Sequence, residues 1–367
     1  MTSETVAPAV SVVVPVFNAA RFLDTSIGSV LGQSRTDWEL VLVDDGSRDD
    51  SRAICAAHAE RDPRIRVIGQ DNRGPAAARN LGMNQARGRF ISFLDADDQL
   101  LPDALSFLLA EAEQRGAELV LGNFEKSQGG RRIAQPAVFR PNGSAFTGVA
   151  TELTAADLLD YVRHFLWAPS NHLVSYCWAR LYRRDVVQAH ALKGPEDMQL
   201  FEDFAFNLDY MGKVKRLVFV NRPIYVYSIH DGHPSASMAI LDARQLTHDM
   251  QIFRQKLDDF LAEIGVTGQA ARQVAREAGH ALVHYAIIFL VRTCRQIDAG
   301  NRADILAEIA RFVASPVLRQ ALPCYRPRPG DSRLVPWLMT LKLTGLLAAV
   351  CRWKGERRYG RIAEAGR

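Results

Sequence analysis

Between Val10 and Gly122, short apolar runs rich in β-branched residues alternate with stretches of helical spacing. Val10 to Val16, Trp38 to Val43, Ile65 to Gly69 and Phe90 to Leu94 read as strands, each closed by polar or turn residues. Arg21 to Gly32, Ser51 to Arg61 and Pro75 to Gln85 read as the helices between them. Gly74-Pro75 puts proline at a first helical position, where its missing N–H costs nothing. Leu101 to Arg115 and Glu118 to Gly122 add a further helix and strand. Repeated strand-helix-strand units predict an α/β fold with a mostly parallel, Rossmann-like central sheet flanked by helices.

The rhythm then changes. Lys126 to Thr151 is rich in Gly, Gln, Arg and Pro, including Gly129-Gly130-Arg131-Arg132, and reads as a loop or irregular hairpin able to face an acceptor. Helical spacing returns at Ala155 to Phe165, and Tyr176 to His230 forms a compact block with further polar clusters. Beyond Leu241 the pattern is helical throughout. This predicts a catalytic domain over residues 1–240 and a helical region over 241–367, in keeping with about 100 to 200 residues per domain. Leu334 to Trp353 is a long apolar run broken by Lys342 and Arg352, with Trp337 and Trp353 toward its ends and Lys354, Arg357, Arg358 and Arg361 following. Aromatic ends beside basic residues suit a helix lying on a membrane surface, and an ordinary core helix with a basic tail is the alternative. A spanning helix needs about 20 predominantly apolar residues, and Lys342 stands near the middle of this one.

Composition narrows the class. Of 367 residues, 48% are hydrophobic and 23% charged, which fits a globular chain and neither a disordered nor a polytopic one. A formal charge of +4 is too small to argue for a nucleic-acid partner. The five cysteines show no C-x-x-C spacing, which suits a reducing compartment without zinc or disulfides. Met1 to Thr5 is polar and lacks a basic-then-apolar leader, so a cytoplasmic location is expected.

The candidate chemistry falls after the strands. Phe90-Ile91-Ser92-Phe93-Leu94 runs into Asp95-Ala96-Asp97-Asp98, so a strand delivers acid to its C-terminal tip. Open α/β sheets bind ligands in the crevice outside those tips. Asp-x-Asp offers two hard oxygen ligands to a divalent ion that also takes substrate phosphates; a turn capping the next helix is the plain alternative.

Ser11-Val12-Val13-Val14-Pro15-Val16-Phe17-Asn18, Val41-Leu42-Val43-Asp44-Asp45-Gly46-Ser47, Asn72-Arg73-Gly74-Pro75-Ala76-Ala77-Ala78-Arg79-Asn80 and Leu94-Asp95-Ala96-Asp97-Asp98 follow in order. Together they resemble the inverting family-two glycosyltransferases with the GT-A fold, of bacterial surface-polysaccharide type. The resemblance is strong over residues 8–125, fair to 237 and absent from the helical tail. It implies transfer of a hexose or N-acetylhexosamine from a UDP-sugar, with Mn²⁺ or Mg²⁺, to a hydroxyl of a glycan or lipid-linked precursor of lipopolysaccharide, capsule or exopolysaccharide. A GDP-sugar donor and a non-catalytic nucleotide-sugar-binding scaffold are the rivals. Nucleotidyltransferases are disfavoured because Pro15-Val16-Phe17-Asn18 stands where a glycine-rich phosphate loop is expected, and no G-x-G-x-x-G dinucleotide fingerprint follows the first strand.

By that resemblance Pro15, Val16 and Phe17 wall the base, with Phe17 as core the alternative. Asp44 contacts the base, where a carboxylate accepts from a uracil N3–H or ribose hydroxyls, and Asp45 supports the loop. Asn72, Arg73 and Gly74 close on the base, and Arg79 either reaches the nucleotide or pairs on a helix face. Asp95 and Ala96 belong to the ribose and metal region, Asp97 coordinates the metal, and Asp98 holds the loop or the donor sugar. Asp203 in Phe201-Glu202-Asp203-Phe204 is the general base, with Glu202 next. His230 is a third metal ligand or a diphosphate contact, with His233 weaker. Ser228 and Arg180 stand where the family has arginine and lysine, and Trp178 is either an acceptor platform or core.

Overall fold

The computed structural model describes residues 7–134, 150–167, 175–230 and 242–365. Two compact units divide the chain: Met1–Val162 with Asn171–Asp197 and Phe201–His233, and Arg163–Ser170 with Met198–Leu200 and Pro234–Arg367. The boundary expected at residue 240 falls outside the described residues, as do 135–149 of the expected loop and His233.

The first unit opens with β1 (Val10–Val16), α1 (Ala20–Leu31), β2 (Trp38–Asp45), α2 (Ser51–Arg61), β3 (Ile65–Gln70), α3 (Pro75–Gln85) and β4 (Phe90–Phe93). These four strands are all parallel in the order β3-β2-β1-β4, with Val13 opposite both Val41 and Phe93. β1 and β2 are buried almost end to end, the signature of strands covered on both faces.

Past β4 the sheet turns mixed. β5 (Gln99–Leu100), α4 (Ala104–Arg115), β6 (Leu119–Gln128), β7 (Arg131–Ala134), β8 (Ala150–Leu153), α5 (Ala155–Trp167), β9 (Arg180–Arg183), α6 (Arg184–Ala189), α7 (Glu202–Met211) and β10 (Leu217–Ile229) follow. β9 inserts antiparallel between β4 and β6, β6 and β10 are parallel, and β5, β7 and β8 add antiparallel edges. The expected irregular hairpin is in part the β6–β7 pair, turning at Gly129 and Gly130, both at positive φ. Trp178 is core. It is 4% exposed and stacks at 4.5 Å on Tyr225 and 4.4 Å on Tyr176.

The second unit contains α8 (Ala243–Glu263), α9 (Gly268–Arg295), α10 (Arg302–Ala314), α11 (Pro316–Ala321), α12 (Leu334–Thr340) and α13 (Thr344–Ala365). Asp242 caps α8 by accepting from the Arg244 and Gln245 N–H groups. α9 is long and apolar enough to cross a membrane, but two thirds of its apolar window is buried, as in a core helix. The single helix expected over Leu334 to Trp353 is two. Lys342 adopts φ 54°, its N–H donates to Met339 O, and Leu343 N–H donates to Leu338 O, which closes α12 with a left-handed cap.

Glycines set the packing of the parallel half. A Cβ on Gly88 would lie 2.5 Å from Ser11 N and 2.7 Å from Val10 C, backbone atoms of the central strand. Gly28 in α1 has nothing within 4 Å of that position. Gly88→Ala is therefore expected to lower the urea midpoint by the equivalent of about 1–3 kcal/mol. Gly28→Ala should raise it by about 0.4–1 kcal/mol. Equal effects of the two substitutions would contradict this packing.

Candidate active site

The C-terminal ends of β1, β2 and β4 and the loop after β3 form one rim. At the tip of β2, Asp45 is 3% exposed and spends both oxygens on the loop after β3: Oδ1 accepts from Gln70 Nε2 (2.6 Å) and Arg73 N (2.8 Å), Oδ2 from Gly74 N (2.8 Å). Gly46 then turns at φ 71°, where a Cβ would meet Asn72 N at 2.9 Å. Asn72, Arg73 and Gly74 are thus pinned beside the β2 tip. Asp44 is buried and accepts the Ser47 N–H through Oδ1 at 3.1 Å.

Just past β1, Phe17 is 47% exposed at the rim, so it is not core, and Pro15 within the strand is half-buried. Val16 is fully buried, its side chain turned into the core beneath the rim, so any contact it makes with a base falls to its backbone. Asn18, at φ 49°, accepts the Arg48 N–H and donates its own N–H to Ser47 Oγ, stitching the β1 and β2 tips together.

Arg79 on α3 is the centre of the site. Its side chain is 10% exposed, Nη2 donates to Asp95 Oδ1 at 2.8 Å and Nη1 to Asp203 Oδ1 at 2.9 Å. Of the two roles left open, ion pairing is the one observed, and both terminal nitrogens are engaged. Burial works against the charge, but the two carboxylates outweigh it and hold its pKa well above the ordinary arginine value.

Asp95 gives Oδ1 to Arg79, while its side chain keeps 27% exposure and a carboxylate retains further lone pairs. Burial raises its pKa, Arg79 opposes this, and Asp203 and Asp97 add to the rise. Ala96 is 8% exposed and packs into the core, so its expected ligand contact falls to the backbone alone. Asp98 holds the loop: Tyr225 Oη donates to Oδ2 and Ser228 N to Oδ1, both at 2.7 Å, and burial pushes its pKa well up. Tyr225 Oη also accepts the Asp95 N–H at 3.1 Å.

Asp97 is left facing outward, 45% exposed, with Oδ2 3.8 Å from His230 Nε2. That imidazole nitrogen is buried without a hydrogen-bond partner, and its ring lies 4.2 Å from Phe22. Among the described residues no three His, Cys, Asp or Glu side chains converge on a metal position. One carboxylate and one imidazole nonetheless fit an ion that keeps several waters and takes phosphate oxygens, as Mg²⁺ does. The orphaned Nε2 is the group such an ion would satisfy.

Glu202 and Asp203 open α7 directly after Phe201, which turns the chain at φ 70°. Asp203 accepts from Arg79 on Oδ1 and from Cys177 N on Oδ2 (3.1 Å), and both acids line a cavity of about 10 Å³, room for about one water. Asn80 locks α3 to the 194–196 segment through Gly194 and Glu196, and Arg73 pairs with Glu196. Sequence reasoning gave no role to Tyr225, Asn80 or Glu196. Asn80 stood inside a quoted motif, whereas Tyr225 had no local signal. Arg180 is 2% exposed in the core, with Nη1 unpartnered.

A parallel nucleotide-binding half joined to a mixed half, with acids at the strand tips and a second acidic pair on a following helix, is the GT-A architecture. Residues 11–190 match the family described as Glycosyl transferase family 2. The uncharacterized glycosyltransferase EpsJ of Bacillus subtilis is 29% identical over 349 residues, 95% of this chain and 93% of that protein. The succinoglycan biosynthesis protein ExoO of Rhizobium meliloti is 30% identical over 255 residues, 68% of this chain and 70% of that protein. Among solved structures, S. aureus TarS 1–349 in complex with UDP-GlcNAc superposes with a TM-score of 0.65 at 17% identity, over 96% of this chain and 92% of that one. The chain belongs to glycosyl transferase family 2.

Arg79→Met would leave two partly buried carboxylates without their cation. It is expected to cost about 3–5 kcal/mol of unfolding free energy, read by chemical denaturation. Arg79→Lys should recover only part, since an ammonium lacks the fork that spans both acids. A loss within the scatter of surface substitutions would refute the bridge.

Proposed function

We propose that this chain is an inverting glycosyltransferase, working in the cytoplasm. It moves a hexose or N-acetylhexosamine from a UDP-sugar to a hydroxyl of a cell-surface glycan precursor, lipid-linked or soluble. The observation that carries this reading is the Arg79 bridge, which ties the acid-bearing tip of β4 to the acid pair that opens α7. A donor-binding rim and a proton acceptor are thereby held on one scaffold. The donor class draws support from TarS, whose structures hold UDP-GlcNAc and UDP, and the product class from ExoO, named for succinoglycan biosynthesis.

Phe17 offers an apolar wall for the base, Asp44 an acceptor for its N–H or for ribose hydroxyls, and the loop of Asn72, Arg73 and Gly74 the opposite side. Asp97 and His230 would hold Mn²⁺ or Mg²⁺, which supplies charge neutralisation to a leaving diphosphate. Asp203 receives the proton of the acceptor hydroxyl as that oxygen forms its bond to the anomeric carbon, on the face opposite the breaking bond to the diphosphate. One displacement of this kind inverts the centre. Each Asp203 oxygen already accepts one hydrogen bond, and a carboxylate retains further lone pairs for an acceptor hydroxyl. Glu202, beside it on the cavity wall, is the second candidate.

Titration calorimetry tests the donor site: UDP should bind in the presence of Mn²⁺, and Asp97→Ala should abolish the gain that Mn²⁺ gives. Binding of GDP in preference would move the donor to a GDP-sugar. Absence of binding by either nucleotide would refute the donor site, and nucleotide binding without transfer from any donor would favour the scaffold reading. With a competent donor, Asp203→Asn should lower kcat by about 10²–10⁴-fold while leaving UDP affinity in place; an unchanged kcat would shift the base to Glu202.

A further inference from the structure

Nine large apolar side chains are exposed among the described residues, and six of them fall between Leu334 and Trp353. Leu334, Trp337 and Leu341 recur at helical spacing along α12 and its cap, Leu343 sits in the turn, and Leu346 and Trp353 are seven residues apart on α13. Trp337 is 55% and Trp353 51% exposed. The opposite faces are core: Val335, Leu338, Met339, Leu347, Ala348 and Cys351 are all 4% exposed or less. The exposed faces of the two helices meet at an open groove of about 610 Å³, lined among others by Arg333, Leu334, Trp353 and Lys354.

The charge around this patch is mostly positive. Arg333, Lys342, Lys354 and Arg357 have no carboxylate partner among the described residues, and Arg357 lies 4.4 Å over the Trp353 ring. Glu356, the one acid between residues 333 and 357, is paired with Arg352 at 3.1 Å. Asp331 at the groove edge accepts the Arg328 N–H.

We infer that the α12–α13 face docks on an anionic phospholipid bilayer, with Trp337, Trp353 and the exposed leucines entering the headgroup boundary and the four cations meeting lipid phosphates. A second copy of the chain is a poor occupant, because a two-fold interface sets a patch against itself and would oppose these cations to one another. Apolar side chains ringed by unpaired cations are what an interfacial helix needs: burial of the first and attraction of the second to anionic lipid. Only one face of each helix is apolar and exposed, so the segment lies on the bilayer. The inference rests on the second unit alone and is independent of the transferase chemistry.

The test is co-sedimentation of the full chain with vesicles of phosphatidylglycerol and phosphatidylcholine in equal parts, and with phosphatidylcholine vesicles alone. Binding is expected with the anionic vesicles, weakening with added salt. Trp337→Ser combined with Trp353→Ser should lower the partition coefficient by about tenfold or more. Lys342→Glu with Lys354→Glu should lower it by at least about fivefold per cation. A thermal melt checks that each variant is folded. Should either variant be unfolded, the wild-type chain decides alone: brominated acyl chains should quench its tryptophan fluorescence. Absence of binding, binding untouched by folded variants, or no quenching would overturn the inference. So would a dimer in solution that the tryptophan substitutions dissociate.

Discussion

A guanidinium taken out of water is costly unless carboxylates meet it, and Arg79 meets two. Its planar fork reaches Asp95 at the end of β4 with one nitrogen and Asp203 at the start of α7 with another. Burial raises the Asp95 pKa, and Arg79 opposes that rise. The pairing therefore works in both directions: the arginine is buried because the acids are there, and the acids converge because the arginine is. The bridge thus joins the tip of β4 to the start of α7, while separate contacts from Asp45 and Asp98 hold the loops further out on the rim.

The two edges of the parallel sheet treat acid differently. At the starts of the strands, Glu39 accepts from Ser11 Oγ, Arg87 N and Arg66 Nη1, and Ser11 Oγ in turn accepts the Gly88 N–H. That cluster is closed, and its donors come from the chain itself. At the strand ends, Asp45 and Asp98 are likewise consumed in holding loops. Asp97 alone of the Asp95–Asp98 turn stays outward, across from an imidazole nitrogen with no partner. Neighbouring acids in a short motif thus divide into supports and candidates for ligand contact, and the supports are the more buried.

How much of this was legible before the structure depended on range. The parallel strands announced themselves because burial on both faces demands continuous apolar runs, and β1, α2 and α3 begin and end where the pattern placed them. The loop-holding role of Asp45 came from the family resemblance, and its two oxygens do hold the 70–74 backbone and side chains. The antiparallel insertion of β9 between β4 and β6 was not legible, since sheet order is set by contacts distant in sequence. For the same reason the Arg79 bridge stayed open between two roles, and Tyr225 passed without notice although it joins Asp95 to Asp98. The motif Pro15-Val16-Phe17 did not show which of its side chains reaches the surface, and Val16 is the buried one.

The apolar run at 334–353 posed a question in which core and interface looked like alternatives. The break at Lys342 removes the conflict. A single straight helix with apolar residues all round would be either buried or spanning, but two helices joined by a left-handed residue each keep a core face and an exposed one. Val335, Leu338 and Met339 satisfy the first demand while Leu334, Trp337 and Leu341 are left over for a second. Leaving such side chains in water, beside cations without carboxylate partners, is unfavourable for a face that stays solvated. It becomes favourable once an anionic, partly apolar surface is supplied.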